Sequence, residues 1–294
     1  EDFAFYTHWY EQVRRAAESL TPGVEAIHYN AQNNFTLQYP VLLAALSRSD
    51  AESTIFRKLR IVATYLDILV ARRTWNWKDT SYSTMQYNMF QLVILAIRGK
   101  PVAELAQILK QRLDAEQETF ASNDRFYLHG MNGRQIHRLL ARMTDYVEKQ
   151  SGRASRYSEY IKRSGKNGYE VEHIWADHAD RHKDEFQHPA DFGEYRNRIG
   201  GLLLLPKSFN ASYGDLDYPQ KLDHYYGQNL LAQSLHPNAY DHDPGFGRFR
   251  EKSRLAFKAH SAFKKADLDD RQKLYQKLAE RIWSPENILR EAEA

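Results

Sequence analysis

Over most of the first 150 residues, apolar side chains recur every three to four positions, the spacing of one helical face. Asp2–Leu20 carries this pattern until Pro22 stops it. Ala51–Arg72 follows Ser49-Asp50, a good cap, and places Ile55, Leu59, Val62, Leu66, Leu69 and Val70 on one stripe. Thr84–Ile97 is apolar almost all round, which predicts a buried helix. Pro101 opens a further helix to about Ala121, with proline in the first turn, where its missing N–H is no loss. After Asn132-Gly133 another helix runs through Val147, with Ile136, Leu139, Leu140 and Met143 on one face.

The pattern changes after Ser151-Gly152. Arg153–Lys162 reads as a short amphipathic helix and Ser164–Gly168 as a turn. Tyr169–Trp175 alternates apolar and polar residues, as a half-buried strand does. A polar, His-rich connection leads to a second strand, Arg198–Leu205, which Pro206 ends, and Lys207–Tyr213 can start a helix. Helical patterns return at Tyr218–Leu235, Arg250–Lys265 and Asp267–Trp283, and again after Pro285. The reading is a mainly α chain: a helical domain over residues 1–150, then over residues 151–294 a ββα unit embedded in helices.

Composition narrows the chemistry. The 294 residues, 42% of them hydrophobic, can bury one large core or two modest ones. No apolar run is long enough for a transmembrane helix. The first residues, EDFAFYTHWY, show neither a secretory signal nor an initiator Met, so a cytoplasmic piece of a longer protein is expected. There are no cysteines, which excludes disulfides, thiolate zinc sites and Cys nucleophiles. Any metal then falls to His, Asp, Glu or Asn, which favours Mg²⁺, Mn²⁺ or a His-bound ion. A net charge of +3 does not by itself argue for nucleic acid. Its distribution says more: Gly245–Lys265 holds Arg248, Arg250, Lys252, Arg254, Lys258, Lys264 and Lys265 against Glu251 alone. Ser151–Gly168 holds Arg153, Arg156, Lys162, Arg163 and Lys166 against Glu159. Both stretches suit phosphate contact, and both suit a solvated helix face.

The two predicted strands bring polar residues to the places where phosphodiester hydrolysis needs them. Glu172-His173 lies late in the first strand, Asn197 just before the second, and Asn210 in the following helix. A neutral His can take a proton from water near pH 7. One divalent ion can stabilise charge on the phosphate if the protein supplies only one or two oxygens. Adjacent strand residues point to opposite faces, so Glu172 and His173 can both serve one ion only at a strand end or bulge. His178, His182 and His188 invite a zinc site and His236, Asp241, His242 and Asp243 another metal site, but loop solvation and a turn before Pro244 account for them.

The segment YEVEHIWAD followed by NRIGGLLLLPKSFNASYGDLDYPQK resembles the C-terminal nuclease domain of GmrSD-type type IV restriction enzymes. The same HNH (His-Me finger) domain type occurs in the phage-defence effector SspE. The matching residues are Glu172-His173-Ile174, Asn197-Arg198-Ile199-Gly200, Leu202–Leu205, Asn210 and Lys221. The resemblance implies His173 as base, Asn197 orienting it or bracing the loop, Glu172 and Asn210 facing the metal, and Lys221 touching phosphate. With Arg248, Arg250, Arg254 and Lys258 as further phosphate contacts, it implies an Mg²⁺- or Mn²⁺-dependent DNA endonuclease or nickase of prokaryotic antiviral restriction. It further implies an upstream nucleotide-binding domain in the full-length protein; its DGQR-like motif is not found here. An oligomer is open. Two positions depart from the family pattern: Trp175-Ala176 stands where Pro is frequent, and Gly201 where Asn is usual. The alternatives are a non-catalytic DNA-binding or assembly module of the same fold, and an RNA-directed nuclease.

Overall fold

In the computed structural model, which describes all 294 residues, the stripe that begins at Ile55 does become the spine of a helical unit. This unit comprises Glu1–Asn123 and Trp283–Ala294. Its helices are α1 (Asp2–Glu18), α2 (Glu25–Gln32), α3 (Gln38–Ala44), α4 (Glu52–Trp75), α5 (Tyr82–Tyr87), α6 (Ile94–Ile97) and α7 (Val102–Ala115). All six stripe residues of α4 are buried, because α2, α3 and α7 pack around it. The C-terminal helix α17 (Glu286–Glu293), the last in the chain, also packs on α4 and α7.

Two expectations for this unit fail. Thr84–Ile97 is neither one α-helix nor buried all round. A π-helical turn, Asn88–Val93, separates α5 from α6, and Leu92 and Leu95 are 43% and 62% exposed. Met85, Met89, Val93 and Ile97, four residues apart, face inward, joined by Ile94. An all-round apolar pattern cannot choose a face; the packing partners choose it. The helix after Pro101 ends at Ala115, and a 3₁₀ turn at Phe120–Ser122, held by Thr119 and Ser122, replaces the predicted last turn.

The other unit, Asp124–Ile282, begins before the change of pattern at Ser151-Gly152. Helix α8 (Gly133–Gln150) belongs here because it packs against both strands. The unit continues through α9 (Tyr157–Tyr160), β1 (Tyr169–His173), α10 (Pro189–Arg196), β2 (Leu202–Pro206), α11 (Lys207–Tyr213), α12 (Tyr218–Tyr226), α13 (Leu230–Gln233), α14 (Asn238–Asp241), α15 (Pro244–Ser253) and α16 (Lys265–Ile282). The strands pair antiparallel, from Tyr169 opposite Pro206 to His173 opposite Leu202. Leu202–Leu205 are all buried, so the pair is covered on both faces.

Three boundaries move for identifiable reasons. β2 starts at Leu202, since Ile199–Gly201 is a 3₁₀ turn against α16. A Cβ on Gly200 would lie 2.4 Å from the backbone N of Gln272, and Gly200 N–H donates to the Gln272 side chain at 2.9 Å. The predicted Tyr218–Leu235 helix breaks at Gly227, and Asn229 then caps α13 while donating to the Leu204 carbonyl at 2.7 Å. The predicted Arg250–Lys265 helix is not formed. Arg254 turns into the left-handed region (φ 55), after which buried Leu255 and Phe257 alternate with exposed Ala256 and Lys258, as in extended chain.

Any side chain at Gly200 must push α16 off this turn. Gly200→Ala is expected to destabilise the second unit by about 1–3 kcal/mol, the usual overpacking cost, seen as a drop of several degrees in thermal unfolding. An unchanged Tm would mean that α16 does not close on this turn.

Candidate active site

His173 is the last residue of β1, and the chain bends immediately after it. The strand end required by the sequence argument is therefore present, and the register up to it has no bulge. Asn197, at the end of α10, meets the imidazole: its Oδ1 lies 2.9 Å from His173 Nε2. The Asn197 amide is oriented by donating Nδ2–H to the Gly193 carbonyl at 2.9 Å. An amide oxygen can only accept, so Nε2 carries the hydrogen and Nδ1 keeps the lone pair. No hydrogen bond occupies Nδ1. Burial, with the nearby Arg196 charge in support, pushes the His173 pKa down to about 4. The imidazole is thus neutral at neutral pH, tautomerically fixed, and able to accept a proton.

Glu172 points away from this pair. It is buried, and its Oε1 accepts from Lys221 Nζ at 2.7 Å and from Tyr225 hydroxyl at 3.0 Å. Lys221 Nζ also donates to the His173 carbonyl at 2.9 Å. Burial drives Glu172 up and Lys221 down in pKa, against their mutual attraction. Lys221 has 0% exposure, so the expected phosphate contact is corrected: this lysine is spent on the carboxylate and on the strand end. Oε2 of Glu172 makes no hydrogen bond.

Asn210 sits in α11 beside β1. Its Nδ2 donates to Glu170 Oε1 at 2.9 Å and more weakly to the Val171 carbonyl at 3.4 Å. Its Oδ1 is buried and has no partner. An unmatched buried acceptor costs about 1–3 kcal/mol, and this one is oriented by the bonds of its own amide nitrogen. No group of three or more His, Asp or Glu side chains is arranged around a common point. The donors that fit a divalent ion are the Asn210 oxygen and the free oxygen of Glu172, both hard ligands suited to Mg²⁺ or Mn²⁺.

Residues 114–294 match the model of the C-terminal domain of GmrSD restriction endonucleases. The chain belongs to this family. No curated protein and no solved structure matches it. The matched region contains the whole of the Asp124–Ile282 unit and extends over residues 114–123 and 283–294 of the other unit.

Both departures from the family pattern have a place in this GmrSD-type domain. Trp175 is buried, stacks on Phe192 and donates Nε1–H to the Phe263 carbonyl at 2.8 Å, anchoring the chain just beyond His173. A Cβ at Gly201 would lie 3.0 Å from the Leu268 side chain, so the glycine suits the close approach of α16.

Sequence reasoning missed Arg196, Glu170 and Tyr225. Arg196 donates Nε–H to the Trp175 carbonyl at 3.1 Å and lies 3.9 Å from Asp177, while its terminal nitrogens make no hydrogen bond. Its only sequence signal is adjacency to Asn197. The expected phosphate-binding residues divide. Arg248 and Arg254 are exposed and unpaired; Arg250 stacks over Tyr240 at 4.3 Å; Lys258 pairs with Asp270 at 2.6 Å. The loop histidines do not converge: His178 bonds Asp215, His182 packs against both Trp175 and Phe192, and His188 caps α10.

Asn197→Asp would put a carboxylate where a neutral oxygen now accepts, favouring the imidazolium. The His173 pKa, followed by NMR titration, is expected to rise from about 4 toward or beyond the ordinary 6.5. Because the folded pKa lies below the unfolded one, His173 costs stability as pH falls from about 6.5 to about 4. This loss should shrink in Asn197→Asp. An unmoved titration would remove Asn197 as the partner of His173.

Proposed function

We propose that the chain is a metal-dependent DNA endonuclease of the HNH (His-Me finger) type, acting on foreign or modified DNA in prokaryotic antiviral restriction. The observation that carries this reading is the His173–Asn197 pair: a neutral imidazole with a fixed tautomer and an open Nδ1, at the end of the first strand of a strand–strand–helix unit. In this reading β1, β2 and α11 are the ββα core of that nuclease type. Nδ1 of His173 removes a proton from the attacking water. Asn197 holds the ring and accepts from Nε2–H, a bond that strengthens as the ring becomes positive. Asn210 Oδ1 and the free oxygen of Glu172 would hold a divalent ion, which would supply charge stabilisation at the phosphate. Arg196, braced by the Trp175 carbonyl, presents its free terminal N–H groups to a phosphate oxygen. Arg248 and Arg254 contact the DNA backbone without reading sequence.

A plasmid-nicking assay with Mg²⁺, Mn²⁺ or EDTA tests the activity itself. His173→Ala is expected to lower cleavage at least ~100-fold, the range for losing a general base, with DNA affinity barely changed. Wild-type cleavage by that variant would overturn the base assignment. A variant that binds and cuts nothing, alongside a wild type that also cuts nothing, would favour a binding module. Competition by RNA of equal strength would favour an RNA-directed nuclease.

Asn210→Ala removes the orphaned oxygen and should raise the Mg²⁺ concentration needed for half-maximal activity, with EDTA abolishing cleavage and Mn²⁺ restoring it. Arg196→Lys keeps the charge but loses the braced fork, and is expected to lower kcat about 10-fold or more with little change in the Mg²⁺ requirement. Activity that survives chelation would refute the metal mechanism, and an unaltered kcat in Arg196→Lys would remove the clamp.

A further inference from the structure

One large cavity of the nuclease unit is lined by neither His173 nor Asn197, and it includes Arg254, named above as a DNA-backbone contact. It has a volume of about 580 Å³ and opens between the end of α15, the extended chain that follows, and the C-terminal half of α16. Five cations line it, Lys252 and Arg254 from one side and Lys273, Lys277 and Arg281 from the other, against a single acid, Glu280. Lys277 pairs with Glu280 at 2.7 Å, but no salt bridge engages Lys252, Arg254 or Lys273. Beyond Glu280 on Lys277 and the nearby charge of Asp270 on Lys273, no acid offsets these cations, so the cavity keeps a net positive charge.

Its construction suits an anion. Carbonyl oxygens at the end of α15 would repel one, but Arg281 donates to the Ser253 carbonyl and the Arg254 N–H to the Arg250 carbonyl. Arg254 is one of three non-glycine residues with positive φ. That conformation is uncommon for a long side chain and is retained where the surrounding structure enforces it. Lys273, Lys277 and Arg281 are four residues apart, so they form one row along α16, about 12 Å long at 1.5 Å per residue. That length matches the axial rise of three to four nucleotides in one strand at about 3.4 Å each. A row of this length suits a polymer of phosphates better than a single phosphate group. The same helix packs on Gly200, just before β2, through Gln272, so the row and the His173–Asn197 pair are joined by one rigid element.

We propose that this cavity is a second phosphate-binding site, which takes the backbone of one DNA strand beyond the scissile phosphate and sets how the duplex lies on the nuclease unit. This rests on the DNA-directed reading above. None of Lys273, Lys277 and Arg281 belongs to the basic stretches visible in the sequence.

The test is fluorescence anisotropy of a labelled duplex in EDTA, so that nothing is cut, over a series of salt concentrations. The double charge reversal Lys273→Glu, Lys277→Glu is compared with wild type and with Lys149→Glu, Lys183→Glu, two exposed lysines of the unit outside both basic stretches. Thermal unfolding establishes that each variant folds. The cavity variant is expected to bind at least ~10-fold more weakly and to lose about two units of log–log salt slope, at about 0.9 per phosphate. The control should keep most of the slope. An unchanged slope, or an equal loss in both double variants, would overturn the site. So would inorganic tripolyphosphate binding to wild type but not to the cavity variant while both hold DNA equally, because the cavity would then serve a free polyphosphate. His173→Ala cleavage separates the two proposals: if it is dead while the cavity variant binds DNA normally, the nuclease reading stands and the second site falls.

Discussion

The interaction on which the site depends is the three-way contact of Lys221. One buried ammonium neutralises Glu172 and also holds the carbonyl of His173, so the carboxylate and the strand end are fixed by a single group. Tyr225 donates to the same carboxylate oxygen and stacks on Phe209 of α11, which ties the strand to both helices that follow β2. A pair this deep adds little net stability, since desolvation offsets its attraction, but losing one partner would strand the other's charge at a cost of about 3–5 kcal/mol. Its contribution is to specify one arrangement: β1 must end at His173, with Glu172 turned toward α12.

That lock explains which part of the site was legible in the sequence. The order of Glu172-His173, Asn197 and Asn210 along two predicted strands and a helix is visible without coordinates. The role of Lys221 was misjudged because a lysine in a polar helix segment reads as exposed. Its burial depends on Glu172 lying across from it, a pairing 49 residues apart that no local pattern reveals. Arg196 was overlooked for the opposite reason. Arginines at helix ends are common, and only the fold shows that this one is braced against the Trp175 carbonyl with its terminal nitrogens unused.

For the fold, the sequence was most informative where one face had to be chosen by a single partner. The α4 stripe and the inner face of α8 follow directly from their periodicity. The Arg250–Lys265 expectation fails because Leu255 and Phe257, two apart, share no helical face but do share one face of an extended chain, which begins at the left-handed turn of Arg254. β2 lost its first residues to a contact that no strand pattern encodes, the approach of α16 to Gly200. Helix α10, hidden in the polar loop, is started by His188 and Pro189 rather than by any apolar stripe.

The cations near His173 have a consequence for its chemistry under the proposed function. A base with a pKa of about 4 is reliably neutral but weak, whereas general bases work best near the operating pH. Burial is the larger cause of the depression, but the charge of Arg196 adds to it. A phosphodiester brought against Arg196 carries the opposite charge, so it cancels part of that contribution just when a proton must be taken. The His173 pKa then rises in the complex and the base strengthens where the substrate lies. In the free domain the same arginine keeps the imidazole unprotonated and a poor base. Asn197 Oδ1 contributes in both states, because a carbonyl that accepts from Nε2–H favours the imidazolium more than the neutral ring. The two neighbours in sequence thus pull on the same titration in opposite directions, and a bound phosphate shifts the balance toward Asn197.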